Sequence, residues 1–533
     1  MAEFGVSTRM DANRYEALAS QLPDYLMKQR WFGGKARPIT SVEVVDMIAV
    51  PTTEPAALMF VATVHYADGN DEFYAIPLVA VDDSPSESEV TLTAPAGTGG
   101  WTLRLRDGLK NPAFLTALLQ LIENGAVIPG ESGELRGVQT TAYTRLSQQP
   151  VATLKPKPVG AEQSNTSIIY GDRLILKFFR RIQEGLNPDL EIGQFLTEKT
   201  SLKSVPPLAG TLEYQSRDGK SMAQGMLQKF VPNQGDAWSF TLRSLANYYD
   251  AVRRTATIDG GASAAVIESG KQAQGIPDFA RSSVETYLAA AELLGLRTAE
   301  MHLALASDQT DPAFKPEPFT MESQQSLEQS VSGLLVRVFS LLRDKMKYLP
   351  TEWHEKAEKL AVRESEIAAR FNTALREPIR AMRTRIHGDY HLGQVLRTET
   401  DFVIIDFEGE PARSIEERRT KRSPLQDVAG MLRSFHYAAF APLLGEDRIQ
   451  GVDLARMSEW AEAWNGWVSE RFLEKYFATA KGASYLPQSK EETQTVLNLH
   501  LLEKAIYELG YELNNRPTWV GIPLQGIAKQ LEM

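Results

Sequence analysis

The 533-residue chain has no cysteine, which excludes disulfides and thiolate metal sites and fits a cytoplasmic protein. Histidine is scarce, with 7 residues. No apolar run reaches the ~18 residues that a membrane span needs. The opening MAEFGVSTRM lacks the apolar core of a signal peptide. Positive charge is not in excess: Lys and Arg number 57 against 68 Asp and Glu, for a net charge of −11 and a pI near 5.4. That balance argues against nucleic acid or an anionic membrane as the main partner, because either needs a basic face. It leaves room for a local basic pocket that takes a small phosphate ligand. There is no internal repeat and no long low-complexity tract.

What remains is an ordinary soluble composition, 43% apolar and 23% charged. At this length two or three structural units sharing a cleft are expected. Residues 11–35 carry Tyr15, Leu18, Leu22 and Tyr25 at helical spacing and end in QRWFGGKARPI. VEVVDMIAV, LMFVATVHYA and EFYAIPLVAV then read as strands, with ADGND as a hairpin turn. A helix over NPAFLTALLQLIENG and further strands around ELRGVQTTAYTRL complete a small α+β cap, residues 1–135. Residues 136–231 are strand-rich, interrupted by one helix, NPDLEIGQFLTEKT, in which Asn187 is a good N-cap and Pro188 the first helical residue. From 232 to 533 the pattern is helical, apart from a strand pair near 395–406. Residues 81–100 and 306–330 read as loops.

The densest chemistry lies in HGDYHLGQVLRTETDFVIIDFEGE, residues 387–410. Asp389 precedes Gln394 by five residues, and Asp406 ends an apolar strand twelve residues later. Phosphoryl transfer needs a carboxylate that orients the attacking hydroxyl and hard oxygen ligands that hold magnesium against nucleotide phosphates. The spacing matches a kinase catalytic loop, with Gln394 where Asn is usual. A histidine metal site at His387 and His391 is the weaker reading, since they sit four apart in a turn rather than on a helix. A kinase also needs a phosphate-binding cation. Lys177 ends the strand RLILKFF, and Glu191 in the first turn of the next helix is the expected ion-pair partner, with Glu198 as competitor. Ser164, Asn165, Thr166 and Ser167 form a loop that can offer hydroxyls and amides to phosphates. Gln228, Phe230 and Val231 lie in the expected hinge, with backbone groups for an adenine edge. Asp427 is either an N-cap or a brace for the catalytic loop. In EKAIYELGYELNNRPTWVGIP, Leu502, Ile506, Leu509 and Leu513 form a core face. Glu503, Tyr507, Gly510, Tyr511 and Asn514 form an adjacent stripe that Arg516 and Trp519 extend, a surface suited to sugars. Glu508, Glu512 and Asn515 fall on a third face, expected to be wet.

Taken together, HGDYHLGQVL, VIIDFEGEPARSIEERRTKRSPLQDVAGMLRSFHYA, the C-terminal run, QRWFGGKAR and EQSNTSIIYGDRLILKFFRR resemble the bacterial maltokinases, of the aminoglycoside-phosphotransferase-like branch of the protein-kinase-like fold. The matching runs span residues 29–523, so the resemblance covers the whole chain. It implies a bilobal α+β fold: a cap, a β-rich intermediate subdomain and a mostly helical C-lobe. It also implies transfer of phosphate from ATP to the anomeric hydroxyl of maltose, with Mg2+, and trehalose synthase as a partner in α-glucan synthesis. By position, Asp389 is the catalytic base and Gln394 and Asp406 hold magnesium. Lys177 contacts phosphates and Glu191 pairs with it. His391, Glu408, Tyr507, Tyr511, Asn514, Arg516 and Trp519 are the substrate candidates, with Glu410 open. The rival expectations are a kinase of the same fold for another sugar or amino sugar, and a non-catalytic partner of trehalose synthase.

Overall fold

A computed structural model of the chain describes residues 12–52, 56–81, 90–93, 102–147, 153–160, 165–258, 276–445, 449, 451 and 453–531. The chain forms two compact units, Met1–Thr200 with Pro206–Pro232, and Ser201–Val205 with Asn233–Met533. The first is sheet-rich and the second helical, the α+β organisation expected of the bilobal fold.

The first unit holds two antiparallel sheets. In chain order its elements are α1 (Ala12–Lys28), β1 (Ile39–Val50), β2 (Ala57–Tyr66), β3 (Glu72–Ala80), β4 (Val90–Thr93), β5 (Thr102–Asp107), α2 (Pro112–Glu123), β6 (Val127–Pro129), β7 (Gly133–Gln139), α3 (Tyr143–Ser147), β8 (Pro156–Pro158), β9 (Asn165–Tyr170), β10 (Leu174–Phe179), β11 (Arg181–Ile182), α4 (Pro188–Lys199), β12 (Leu208–Ser216) and β13 (Ser221–Lys229). One sheet runs β1-β2-β3-β5-β4 with β11 joined to β3, and the other β6-β7-β12-β13-β10-β9-β8. β2 is buried along nearly its whole length, which is why it reads as a continuous apolar run rather than an alternation. One core joins Leu18, Leu22, Tyr25, Trp31 and Phe32 to Phe60, Ala62, Tyr74 and Ile76. The other joins Met59, Val61 and Ala75 to α2 and to the second sheet's Ile168, Leu176 and Leu212. The QRWFGGKAR stretch belongs to the first core: Phe32 lies 5.2 Å from Tyr74, and the Arg180 guanidinium 4.6 Å from the Trp31 ring. A Cβ on Gly34 would collide with the Tyr66 hydroxyl and the Phe32 ring, so this close approach favours glycine.

Several expectations give way here. The expected boundary after residue 135 falls within β7, and β6 and β7 belong to the second sheet. The strand expected through TAYTRL ends at Gln139. Thr140 Oγ1 donates to the Leu208 carbonyl at 2.5 Å and accepts from the Ala142 N–H at 3.3 Å, which turns the chain into α3. In the segment expected as a loop at 81–100, Val90–Thr93 is a strand paired with β5, while 82–89 and 94–100 lie outside the described residues.

The second unit comprises α5 (Ala237–Ile258), α6 (Asp278–Leu305), β14 (Glu317–Pro318), α7 (Met321–Lys345), α8 (Thr351–Ala361), α9 (Glu364–Arg376), β15 (Met382–Arg383), β16 (Val395–Arg397), β17 (Phe402–Ile404), α10 (Ile415–Arg419), α11 (Leu425–Leu444), α12 (Leu454–Thr479), α13 (Lys490–Asn515) and α14 (Gly521–Gln530). The loop expected over 306–330 stops at Thr320, whose hydroxyl caps α7. The helix was hidden because a polar residue occupies a core position: buried Gln324 donates to the carbonyls of Leu375 and Glu377 and accepts from the Ile379 N–H. Among the described residues, no helix is long and apolar enough to cross a membrane.

Candidate active site

The HGDYHLGQ sequence, residues 387–394, folds as a turn leading into the β16–β17 hairpin. Val395 pairs with Ile404, and the Ile405 N–H continues the ladder by donating to the Gln394 carbonyl at 3.0 Å. Gln394 and Asp406 therefore leave the same end of the hairpin. Asp406 has φ +71°, a left-handed conformation rare for a non-glycine residue and often found at functional sites. Both offer hard oxygen donors, an amide and a carboxylate, which fit a magnesium ion.

His387 is buried and structural. Its Nε2 bonds the Ile405 carbonyl at 2.9 Å and its ring lies 4.8 Å from that of Phe407, tying the turn to the strand that carries Asp406. Gly388 has φ +85°, and a Cβ there would meet Gly409 Cα at 3.3 Å, so the HGD and FEGE stretches approach as only glycine allows. Asp427 is the brace of the two readings. Pro424 holds the N-cap position of α11, and the Asp427 carboxylate accepts from the His387 N–H at 2.8 Å and the Gly388 N–H at 2.9 Å. Buried His302 lies 3.0 Å from the same carboxylate and 2.9 Å from the Tyr476 hydroxyl. Sequence reasoning missed His302, which sits within the apolar pattern of α6 with no motif around it.

Asp389 faces a cavity of about 50 Å³ lined by residues that include Glu410, Arg413, His500, Glu503, Lys504 and Tyr507. Lys504 Nζ lies 3.4 Å from Asp389 Oδ1 and 3.9 Å from Glu410 Oε2. The Tyr507 hydroxyl donates to Glu410 Oε1 at 2.6 Å. Burial lifts the Tyr507 phenol above its ordinary range, and the Glu410 carboxylate adds to the effect. His391 accepts the Gly393 N–H at Nδ1 at 3.0 Å and turns Nε2 toward Asp389 at 3.9 Å. Burial depresses its pKa, against the opposing pull of Asp389.

Of the expected substrate residues, Tyr507 lines the cavity, whereas His391, Glu408, Tyr511, Asn514, Arg516 and Trp519 are not among its lining residues. Tyr511, Arg516 and Trp519 form a stack beyond it, with the Arg516 guanidinium 5.5 Å and 4.6 Å from the two rings. Arg516 is held there by Glu512 at 3.0 and 2.7 Å, and Asn514 accepts from Lys345 Nζ at 2.9 Å. The Glu408 carbonyl accepts from Arg418 at 3.1 Å. The face expected to be wet is not. Glu508 is buried against Arg433 at 2.9 and 2.6 Å, and Glu512 is 1% exposed beneath Arg516 and Tyr437. Sequence reasoning also missed Lys504: a lysine among EKAIYE has no pattern that separates it from a solvated one.

In the first unit, Lys177 Nζ lies 3.2 Å from Asp189 Oδ2, a carboxylate two residues before the expected partner Glu191, which is itself buried in the first turn of α4. The cap that places Asp189 is as expected, Asn187 Oδ1 accepting from the Asp189 N–H at 2.8 Å with Pro188 next. The competitor Glu198 instead accepts from the Thr141 N–H at 3.3 Å and from Gln194 at 3.1 Å. Asn165, Thr166 and Ser167 form a strand rather than a loop, and Ser164 lies outside the described residues. Ser167 sits directly across from Lys177. Thr166 points the other way, into the core, where its hydroxyl accepts from Arg180 at 3.1 Å. The hinge expectation is also altered. Gln228 is a ladder residue opposite Ile175, and the Phe230 N–H donates to the Arg173 carbonyl at 2.7 Å, so it is not free for a base; Val231 follows it.

A family model of the maltokinase N-terminal cap domain matches residues 25–109, and one of the phosphotransferase enzyme family matches residues 265–464. The chain is similar to glucosamine kinase of Streptacidiphilus jiangxiensis, 22% identical over 364 residues, 68% of this chain and 70% of that protein. It is 25% identical over 305 residues to glucosamine kinase of Mycolicibacterium smegmatis, 56% of this chain and 62% of that protein. A solved structure of glucosamine kinase in complex with glucosamine, ADP and inorganic phosphate shares the fold with a TM-score of 0.60 at 19% identity, covering 98% of this chain and all of that one. A second crystal form of glucosamine kinase gives 0.62 at 18% identity, over 97% of this chain and 99% of that one. The chain is a maltokinase-like, aminoglycoside-phosphotransferase-like protein, one segment matching the maltokinase N-terminal cap and another the phosphotransferase enzyme family.

Proposed function

We propose that this protein is an ATP-dependent sugar kinase that phosphorylates maltose at its anomeric hydroxyl, giving maltose 1-phosphate for α-glucan synthesis with trehalose synthase as a partner enzyme. The observation that supports this reading is Asp389 at a cavity lined by Tyr507, with Tyr511, Arg516 and Trp519 following on the same C-terminal segment as an arginine between two rings. Aromatic faces with amide, carboxylate and guanidinium groups suit sugar rings, and a stripe that continues past the first ring suits a disaccharide. In this reading Asp389 orients the acceptor hydroxyl and takes its proton late. Gln394 and Asp406 would hold magnesium, which supplies charge neutralisation on the transferring phosphate. Lys177, aligned by Asp189, would contact the nucleotide phosphates.

A second reading, a glucosamine kinase, draws on the names of the similar proteins. A panel of maltose, glucose, glucosamine and aminoglycosides with ATP and magnesium, read as phosphorylated product, separates the two. Maltose is expected to give the highest kcat/KM, and a preference for glucosamine would overturn the choice. Asp389→Asn should keep the fold and lower kcat by about 10²–10⁴, the range for loss of a general base; near-normal turnover would remove Asp389 from the role. Chelation of magnesium should abolish turnover, and readdition should restore it.

A further inference from the structure

The cavity beside Asp389 is crowded with carboxylates, yet each already has a partner. Asp389 faces Lys504 at 3.4 Å; Glu410 takes the Tyr507 hydroxyl at 2.6 Å and lies 3.9 Å from Lys504; Glu503 meets His500 Nδ1 at 3.0 Å. Asp427 is occupied by His387, Gly388 and His302. An acceptor bearing an ammonium group would therefore share these carboxylates with a cation already in place, Lys504, whose ammonium lies 4.9 Å from the Tyr507 ring. Burial pulls the Lys504 pKa down, while Asp389, Glu410 and Glu508 push it up, and the net direction is upward, so the side chain is a fixed cation. By contrast, the site has a group suited to a neutral ligand. His500 is 4% exposed and lines the cavity, its Nδ1 is held by Glu503, and its Nε2 has no hydrogen-bond partner. A buried polar atom left without a partner is costly, and an acceptor hydroxyl would satisfy it.

We propose that Lys504 is a specificity-determining residue that selects the acceptor by charge, admitting uncharged sugars through hydroxyl contacts such as His500 Nε2 and rejecting sugars with an ammonium substituent. The inference rests on the sugar-kinase reading and deepens it. A like charge placed in the site disfavours one ligand without improving the other, which is an efficient route to discrimination.

The test uses glucose and glucosamine, which differ at one substituent, alongside maltose. Binding by calorimetry and kcat/KM are measured for the full chain and for Lys504→Met and Lys504→Arg, with melting temperatures to confirm folding. The wild-type protein is expected to favour glucose over glucosamine by about tenfold or more, as like charges a few ångströms apart at a partly wet site produce. Lys504→Met should collapse that ratio toward one, and Lys504→Arg, which keeps the charge, should retain it. A ratio unchanged in Lys504→Met, with maltose still phosphorylated, would overturn the role of Lys504 and leave the sugar-kinase reading standing. A shifted ratio in a protein that prefers another neutral sugar to maltose supports Lys504 and overturns maltose. Absence of binding and turnover with all three sugars would remove the sugar reading and the proposal with it.

Discussion

Asp427 has no solvent around its carboxylate and three donors instead, and its pKa records the contest. Burial alone would raise it, but the His302 hydrogen bond, the nearby imidazoles and the Gly388 N–H lower it, and the net shift is downward. A carboxylate whose folded pKa is depressed contributes stability that is present above its unfolded value, about 3.9, and lost as pH falls through the folded value. Asp427→Asn keeps the volume but cannot accept at both atoms, so one N–H of the His387–Gly388 turn is left buried and unsatisfied. The expected cost is about 3 kcal/mol at pH 7. The acid side of the stability profile should also become shallower than in the wild type, and urea denaturation across pH 3–7 checks both points. Parallel profiles would mean that Asp427 does not hold the loop as an anion. At this scale the sequence was informative where spacing constrains geometry: Gln394 and Asp406, twelve residues apart, leave the same end of the β16–β17 hairpin. It was silent about Lys504 and His302, because their roles depend on which helix faces which and not on their neighbours in the chain.

The strand–helix element that carries Lys177 is rigid for reasons spread across the first unit. Lys177 lies on β10, whose next residues lead to Arg180. That side chain is fully buried, with its guanidinium 3.0 and 2.5 Å from the Asp107 carboxylate at the end of β5 and 3.1 Å from the Thr166 hydroxyl on β9. One cation thus ties both sheets of the unit together and stacks on Trp31. Removing one member of a buried pair leaves the other charge uncompensated. Asp107→Ala should therefore cost about 3–5 kcal/mol, whereas replacing both partners with apolar residues should cost less. Thermal unfolding of Asp107→Ala and of the double variant Asp107→Leu with Arg180→Met distinguishes these; a single variant as stable as the wild type would show that the pair carries no such constraint. Many elements here were readable from pattern: β1, β3 and β10 lie in stretches read as strands, β2 in a continuous apolar run and α4 where its capping residues put it. Three of the failures share one cause, polar side chains doing interior work. Gln324 closes the end of α9 from within α7, Glu508 and Glu512 pair with arginines, and Thr140 bends the chain into α3. A pattern of apolar spacing cannot register a buried side chain that is polar but satisfied.

At the scale of the whole chain, the two units are not consecutive in sequence. Ser201–Val205, between α4 and β12, belongs to the helical unit although the residues on both sides belong to the sheet-rich one. The reason is a single edge. The Ile404 N–H on β17 donates to the Ser204 carbonyl at 2.7 Å, and Val205 is buried. The strip thus covers the hairpin that sets Gln394 and Asp406, and a reading that places the boundary by composition at residue 232 does not see it. A fragment of residues 233–533 should therefore not behave as an independent folding unit. It loses the acceptor for Ile404 and exposes an apolar strand edge next to the 387–394 turn, a hazard for pairing with other chains. Hydrogen exchange of the intact chain should show the Ile404 amide protected at the level of the surrounding helices. The fragment should show rapid exchange through residues 395–406 and aggregate at concentrations where the intact chain is monodisperse. Supplying Ser201–Val205 through a short linker fused ahead of residue 233 should restore protection; equal protection with and without the strip would show that the hairpin is held from within the helical unit alone.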